Sequence, residues 1–280
     1  MSSLAACSLF TELGGLDNAT PDAAAPDSNT SSGSSSGGGG DRDGSPKPDD
    51  AGVSDGDAST DSGPFSCASR TDLDFCADFD NVTAPEQGWT KAYGGLPLSL
   101  DTSQRVSLPN ALRVQAPAYE AGANAQGALE ITLNGTRSQI TTSVDLYVED
   151  PKPTGGGLFV VFAVYLATNY DVYIQIDPTK TILMEKLSAA VTSFQSHDLT
   201  PFPVGTWVHV DLIYETAGGA KLTLKRTVAG TAPDETTFPL SLAPGATTGT
   251  YGIRAGIPYV GGTTSAASVW TDNVTLASKP

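Results

Sequence analysis

The stretch WVHVDLIYE, residues 207–215, decides the fold class. Trp207, His209 and Asp211 alternate with Val208, Val210 and Leu212, a period of two that puts the apolar side chains on one face of an extended strand. The same pattern recurs twice. In 144–149, Asp145, Tyr147 and Glu149 oppose Val144, Leu146 and Val148; in 171–177, Asp171, Tyr173, Gln175 and Asp177 oppose Val172, Ile174 and Ile176. Outward from these, strands are expected at 111–116, 128–133, 139–148, 158–167, 170–176, 181–187, 191–194, 207–215, 221–227, 235–238, 250–257 and 269–276, separated by Gly, Pro, Asn and Asp clusters. Tight turns are expected at Thr168-Asn169 and at Asp177-Pro178-Thr179-Lys180. No segment carries a sustained helical stripe, and the best candidate, 120–129, is interrupted by Gly122 and Gly127. A dozen strands over residues 65–280 predict an all-β, two-sheet antiparallel jelly-roll sandwich forming one domain.

The rest of the 280 residues reads differently. Phe10 and Phe65 bracket 54 residues without Phe, Tyr or Trp, including SNTSSGSSSGGGG at 28–40. Such a segment cannot bury enough apolar surface to offset the entropy of ordering, so 11–64 is expected to be a disordered linker. As a Gly/Ser-type coil it reaches roughly 40 Å. It carries −9 of the net charge of −16, leaving −7 for 65–280. That balance excludes nucleic acid as a partner, which needs clustered Lys and Arg. The longest wholly apolar run, LFVVFAVYLA at 158–167, has ten residues against the roughly 20 a spanning helix needs. With two His and no G-x-S-x-G elbow, zinc and serine-nucleophile chemistry have little support.

Two resemblances follow. Residues 4–7, Leu-Ala-Ala-Cys, resemble the lipobox of bacterial lipoproteins, which implies acylation at Cys7, export and anchoring in the cell envelope at the outer membrane. In that family a basic and then a long apolar segment precede the box. Three residues precede Leu4 here, so either the true start lies upstream or the match is chance. Residues 74–277 resemble the concanavalin A-like lectin/glucanase superfamily, near its laminin-G-like branch, through Asp78-Phe79-Asp80-Asn81 as an opening strand, Gly205-Thr206-Trp207-Val208-His209-Val210, and Trp270-Thr271-Asp272-Asn273-Val274 as a closing one. The resemblance implies adjacent first and last strands, and often a structural calcium there.

Besides Cys7, candidate sites fall into three groups. Cys67 and Cys76, nine residues apart in an exported context, are expected to form a disulfide. Asp78, Asp80 and Asp272 are hard oxygen ligands that would hold calcium if the terminal strands pair; the bland alternative is turn capping. Asp145, Tyr147, Tyr173, Gln175, Trp207, His209, Asp211 and Arg254 would make one saccharide-binding surface if their strands share a concave sheet; otherwise they lie on solvated faces. The loops 151–157 and 258–266 are placed to close over it. Catalysis is not expected: Asp145-x-Tyr147-x-Glu149 lacks the central carboxylate of the glucanase strand motif. Its ends lie about 13 Å apart on a strand, too far for a glycosidase pair. Polysaccharide lyases of this fold use Gln-x-His, and Asp177 stands where the His should be. Five N-x-S/T sites, at Asn18, Asn29, Asn81, Asn134 and Asn273, are incidental in a bacterial protein. The sequence thus points to a monomeric, lipid-tethered, non-catalytic glycan-binding module. A protein-binding module of the envelope and a divergent hydrolase or lyase are the rivals.

Overall fold

The computed structural model describes residues 65–167, 170–186, 194–240 and 249–280. The expected lipobox at Cys7, the linker 11–64, the sequons at Asn18 and Asn29, the turn Thr168-Asn169 and most of the expected strand 191–194 lie outside the described residues.

Among the described residues fifteen strands run in chain order: β1 (Phe75–Ala77), β2 (Lys91–Gly94), β3 (Leu98–Asp101), β4 (Ala111–Ala116), β5 (Asn124–Asn134), β6 (Gln139–Val148), β7 (Thr154–Ala167), β8 (Tyr170–Ile176), β9 (Thr181–Lys186), β10 (Phe194–Leu199), β11 (Trp207–Glu215), β12 (Lys221–Val228), β13 (Asp234–Pro239), β14 (Thr250–Thr263) and β15 (Ala267–Lys279). They form two antiparallel sheets. The first has the order β13-β12-β11-β6-β15-β4-β3 with β1 also on β15, the second β10-β9-β8-β7-β14-β5-β2. The chain is an all-β sandwich.

Alternation explains the layering. Along β11 buried and half-buried residues alternate over all nine positions, as the period-two pattern requires. Val144 and Leu146 of β6 and Val210 and Leu212 of β11 meet Phe159 and Phe162 of β7, Ile174 of β8 and Ile253 of β14 in one core. Removing this apolar surface from water is the main force holding the sheets together. The central strands β7, β14 and β15 are buried on both faces for most of their length, because something covers their outer side as well.

The chain ends are joined. β1 pairs with β15 at Phe75↔Leu276, Cys76↔Thr275 and Ala77↔Val274, and Cys67 is disulfide-bonded to Cys76. Closing so short a loop stabilises by about 2–3 kcal/mol, chiefly by restricting the unfolded chain. Residues 78–81, expected as the opening strand, form a turn instead. Phe79 adopts a left-handed φ of 58° and buries its ring against Trp89, centroids 6.2 Å apart, which bends the chain out of the sheet. The short strands β2 and β3 escape sequence reading because they lie near sheet edges and carry little apolar pattern. The expected covering loops are largely strand: 154–157 and 258–263 extend β7 and β14 and pair at Thr154↔Thr263.

Candidate functional site

The predicted single surface is divided between the two sheets. Asp145 and Tyr147 on β6 and Trp207, His209 and Asp211 on β11 face outward from the first sheet; Tyr173 and Gln175 on β8 and Arg254 on β14 face outward from the second. The core lies between them. Alternation fixes which side of its own strand a residue occupies, but not which sheet the strand joins.

On the first sheet the register aligns Trp207, Tyr147, Trp270 and Arg113 across four neighbouring strands. Tyr147 meets Trp207 and Trp270 edge-on at 5.8 and 5.4 Å, and the Arg113 guanidinium lies 5.0 Å from the Trp270 ring. Trp270 is buried. Two residues along, His209 is clasped: Nδ1 lies 2.7 Å from Asp145 Oδ1 and Nε2 3.3 Å from Asp211 Oδ1. Ser143 donates to Asp211 and Asn273 Nδ2 to Asp145 Oδ2. Hydrogen bonds to Asp145 and then Asp211 push the His209 pKa up to about 10, so the ring is an imidazolium at neutral pH. It cannot accept a proton as a general base. This arrangement is internally satisfied.

The outer face of the second sheet centres on Glu130, which sequence reasoning missed. Glu130 on β5 pairs across strands with Arg254 on β14 and Lys91 on β2. Its Oε2 accepts from Arg254 Nε at 2.6 Å and Tyr165 Oη at 2.8 Å, and its Oε1 from Tyr93 Oη and Thr132 Oγ1, both at 3.1 Å. Burial works against its charge, yet Arg254 and the tyrosine hydroxyls outweigh this and hold the carboxyl below its usual range. The guanidinium sits 4.1 Å from the centroid of Tyr93 and 4.9 Å from that of Tyr165, and Lys91 Nζ lies 3.8 Å from the Tyr93 centroid. Beside Arg254, Gly252 lets β14 approach β5, since a Cβ there would lie 2.0 Å from the Ile131 carbonyl oxygen.

Farther along the face, Asp171 on β8 stands opposite Tyr165 and Lys186. Tyr173 donates to its Oδ2 at 2.8 Å, and Lys186 Nζ approaches the same oxygen at 3.8 Å. Burial, ahead of these partners, pushes the Asp171 pKa up. Leu158, Val160 and Tyr259, with Tyr173 packed on them, form a second apolar cluster separate from the main core. Val160 registers with Gln175 and Tyr259, which places this cluster along the polar row. β7 and β14 carry several register shifts, and such bulges bend strands and re-aim side chains. Glu130 was legible only as the polar position within 128–133, and Tyr165 was hidden inside an apolar run.

Neither histidine lies on this face. His197, on β10, points to the inner side, 2.6 Å from buried Glu185. Burial pushes the Tyr165 pKa up strongly, so no phenolate base forms there either.

The expected calcium ligands are rearranged at the β1–β15 seam. The Asp78 side chain accepts from the backbone N–H groups of Cys67 and Asp80. Asp272 is fully buried on a bulge before Asn273 and accepts from the backbone N–H groups of Val106, Ser107 and Asn273. Burial, ahead of these bonds, pushes its pKa up to about 7. Among the described residues no group of three or more His, Cys, Asp or Glu is arranged to hold a metal ion. The oxygens that do converge surround the Ser107 hydroxyl: Asp272 Oδ1 at 3.0 Å, the Asp78 main-chain carbonyl at 3.5 Å, and the Asp80 carboxylate.

No family model and no curated protein matches the chain. Solved structures do. A marine alginate lyase from Aplysia kurodai aligns at TM-score 0.54 and 10% identity, covering 74% of this chain and 99% of the lyase. An endo-β-1,4-glucuronan lyase from the fungus Trichoderma reesei aligns at 0.52 and 12%, covering 74% and 96%. A Lotus tetragonolobus seed lectin aligns at 0.47 and 10%, covering 73% and 97%. At such identity the likeness is one of fold, a jelly-roll sandwich.

Proposed function

We propose that the outer face of the second sheet, from β9 through β8, β7, β14 and β5 to β2, binds a saccharide without cleaving it. The observation that carries this reading is the Tyr93, Arg254 and Tyr165 stack held by Glu130, a preset group of donors and rings beside an apolar flank. Binding without cleavage is supported by the protonation states. His209 is charged and lies on the opposite sheet, and the Tyr165 phenol is held neutral. The fold likeness to two polysaccharide lyases agrees with a saccharide ligand and assigns no residue a role.

The test is retention of the full chain on a panel of immobilised polysaccharides, with assays for new reducing ends and for the unsaturated products of a lyase. The expected result is retention without either product, lost in Tyr93→Ala. Product formation would replace the reading with a lyase or hydrolase.

Two features complete the proposal. Calcium at the seam would be held by the Asp272 and Asp80 carboxylates, the Ser107 hydroxyl and the Asp78 carbonyl, an all-oxygen set tying β15 to the loop before β4. Its role would be structural, and a melting temperature raised by calcium over chelator is the expected sign. Acylation at Cys7 would anchor the module to the envelope through residues 11–64. Incorporation of a labelled fatty acid, lost in Cys7→Ser, tests it.

A further inference from the structure

Three cations, Lys91, Arg254 and Lys186, lie on the outer face of the second sheet with two carboxylates, Glu130 and Asp171. Lys186 sits at the loose distance of 3.8 Å from Asp171. This is a locally positive spot on a chain of net charge −16. The aromatic rings there are already used as supports for cations. Tyr93 carries both Lys91 and Arg254, and Tyr165 carries Arg254, which leaves little open ring for stacking on the apolar face of a neutral sugar.

The guanidinium itself is asymmetric. Glu130 takes the Nε end at 2.6 Å, whereas among the described residues the two terminal nitrogens carry no hydrogen bond, and the side chain retains 17% of its exposure. A guanidinium fixed at one end presents the other as a planar fork, and that fork matches the paired oxygens of a carboxylate or sulfate. The Nε bond and contacts with two rings restrain it, so less entropy remains to be lost when an anion docks.

We infer that the ligand of this face is an anionic saccharide, whose carboxylate or sulfate oxygens are received on the terminal nitrogens of Arg254 between Lys91 and Lys186. The inference rests on the saccharide-binding reading and adds the charge class of the ligand. It is tested by retention of the full chain on four immobilised polymers: polygalacturonate, the same polymer after reduction of its carboxyl groups, dextran sulfate and dextran. The expected result is binding to at least one charged polymer, at least tenfold weaker on its neutral counterpart and weakened by added salt. Which charged polymer is held separates carboxylate from sulfate. Arg254→Lys keeps the charge and removes the fork, and should lose at least tenfold. Lys91→Gln, at an exposed position on the edge strand β2, should lose about threefold. Equal retention on a neutral polymer would overturn the charge assignment and leave the binding face standing. Retention on none of the four, and on no member of the wider panel, would sink both.

Discussion

The two outer faces of the sandwich use the same residue types and end in opposite states. On the first sheet His209 is held between Asp145 and Asp211, and Tyr147 is packed edge-on between Trp207 and Trp270, so charges and rings face one another. On the second sheet one carboxylate, Glu130, gathers Tyr93, Tyr165, Thr132 and only the Nε end of Arg254. The first is a closed clasp, the second leaves the terminal nitrogens of Arg254 unbonded among the described residues. Composition does not distinguish them. The difference lies in which donor atoms are left after internal pairing, and that depends on register.

Breaking the second face should cost most. Glu130→Ala strands the largely buried Arg254, and loss of one partner of a buried pair destabilises by about 3 kcal/mol. Denaturant unfolding measures this, and Glu130→Ala with Arg254→Met should recover much of the loss. No recovery in the double variant would mean that the pair is not coupled. The calcium proposed for the seam sharpens the contrast with the faces: with it bound, chelation would lower the melting temperature and leave saccharide retention unchanged, whereas lost retention would tie the seam to the site.

The clasp should show itself through pH. Because the folded pKa of His209 is raised, its contribution is complete below the unfolded value near 6.5 and vanishes as pH rises through about 10. The destabilisation in His209→Gln should therefore be largest at pH 6 and absent above pH 10. For a half-exposed ring it should not exceed about 1 kcal/mol. A cost independent of pH would deny the imidazolium. The smallest effect is expected at Trp207: the sequence placed it among the ligand-binding residues, but Trp207→Ala should leave retention unchanged.

How much of this was legible in the sequence depends on the range of the cause. Strands such as 111–116, 139–148, 170–176 and 207–215 were readable to the residue, because alternation is local and their apolar sides all face one core. The disulfide was readable from spacing and context. The pairing of terminal strands was readable through family resemblance. Sheet membership was not. β6 and β8 carry the same pattern, yet the chain crosses the sandwich between β6 and β7, so Asp145 and Tyr173 end on opposite sides. Glu130 and Tyr165 gave no signal, since each is a single polar group in an apolar stretch and acquires meaning only from strands more than 30 residues away. The turn at 78–81 read as a strand because nothing in its composition announces that Phe79 takes a left-handed conformation.

The most direct test of the central claim is hydrogen–deuterium exchange of the full chain with and without a retained polysaccharide. Protection confined to β2, β5, β14, β7, β8 and β9, with β6 and β11 unchanged, is the predicted result. Protection centred on β6 and β11 would contradict it and return the binding surface to Trp207 and His209.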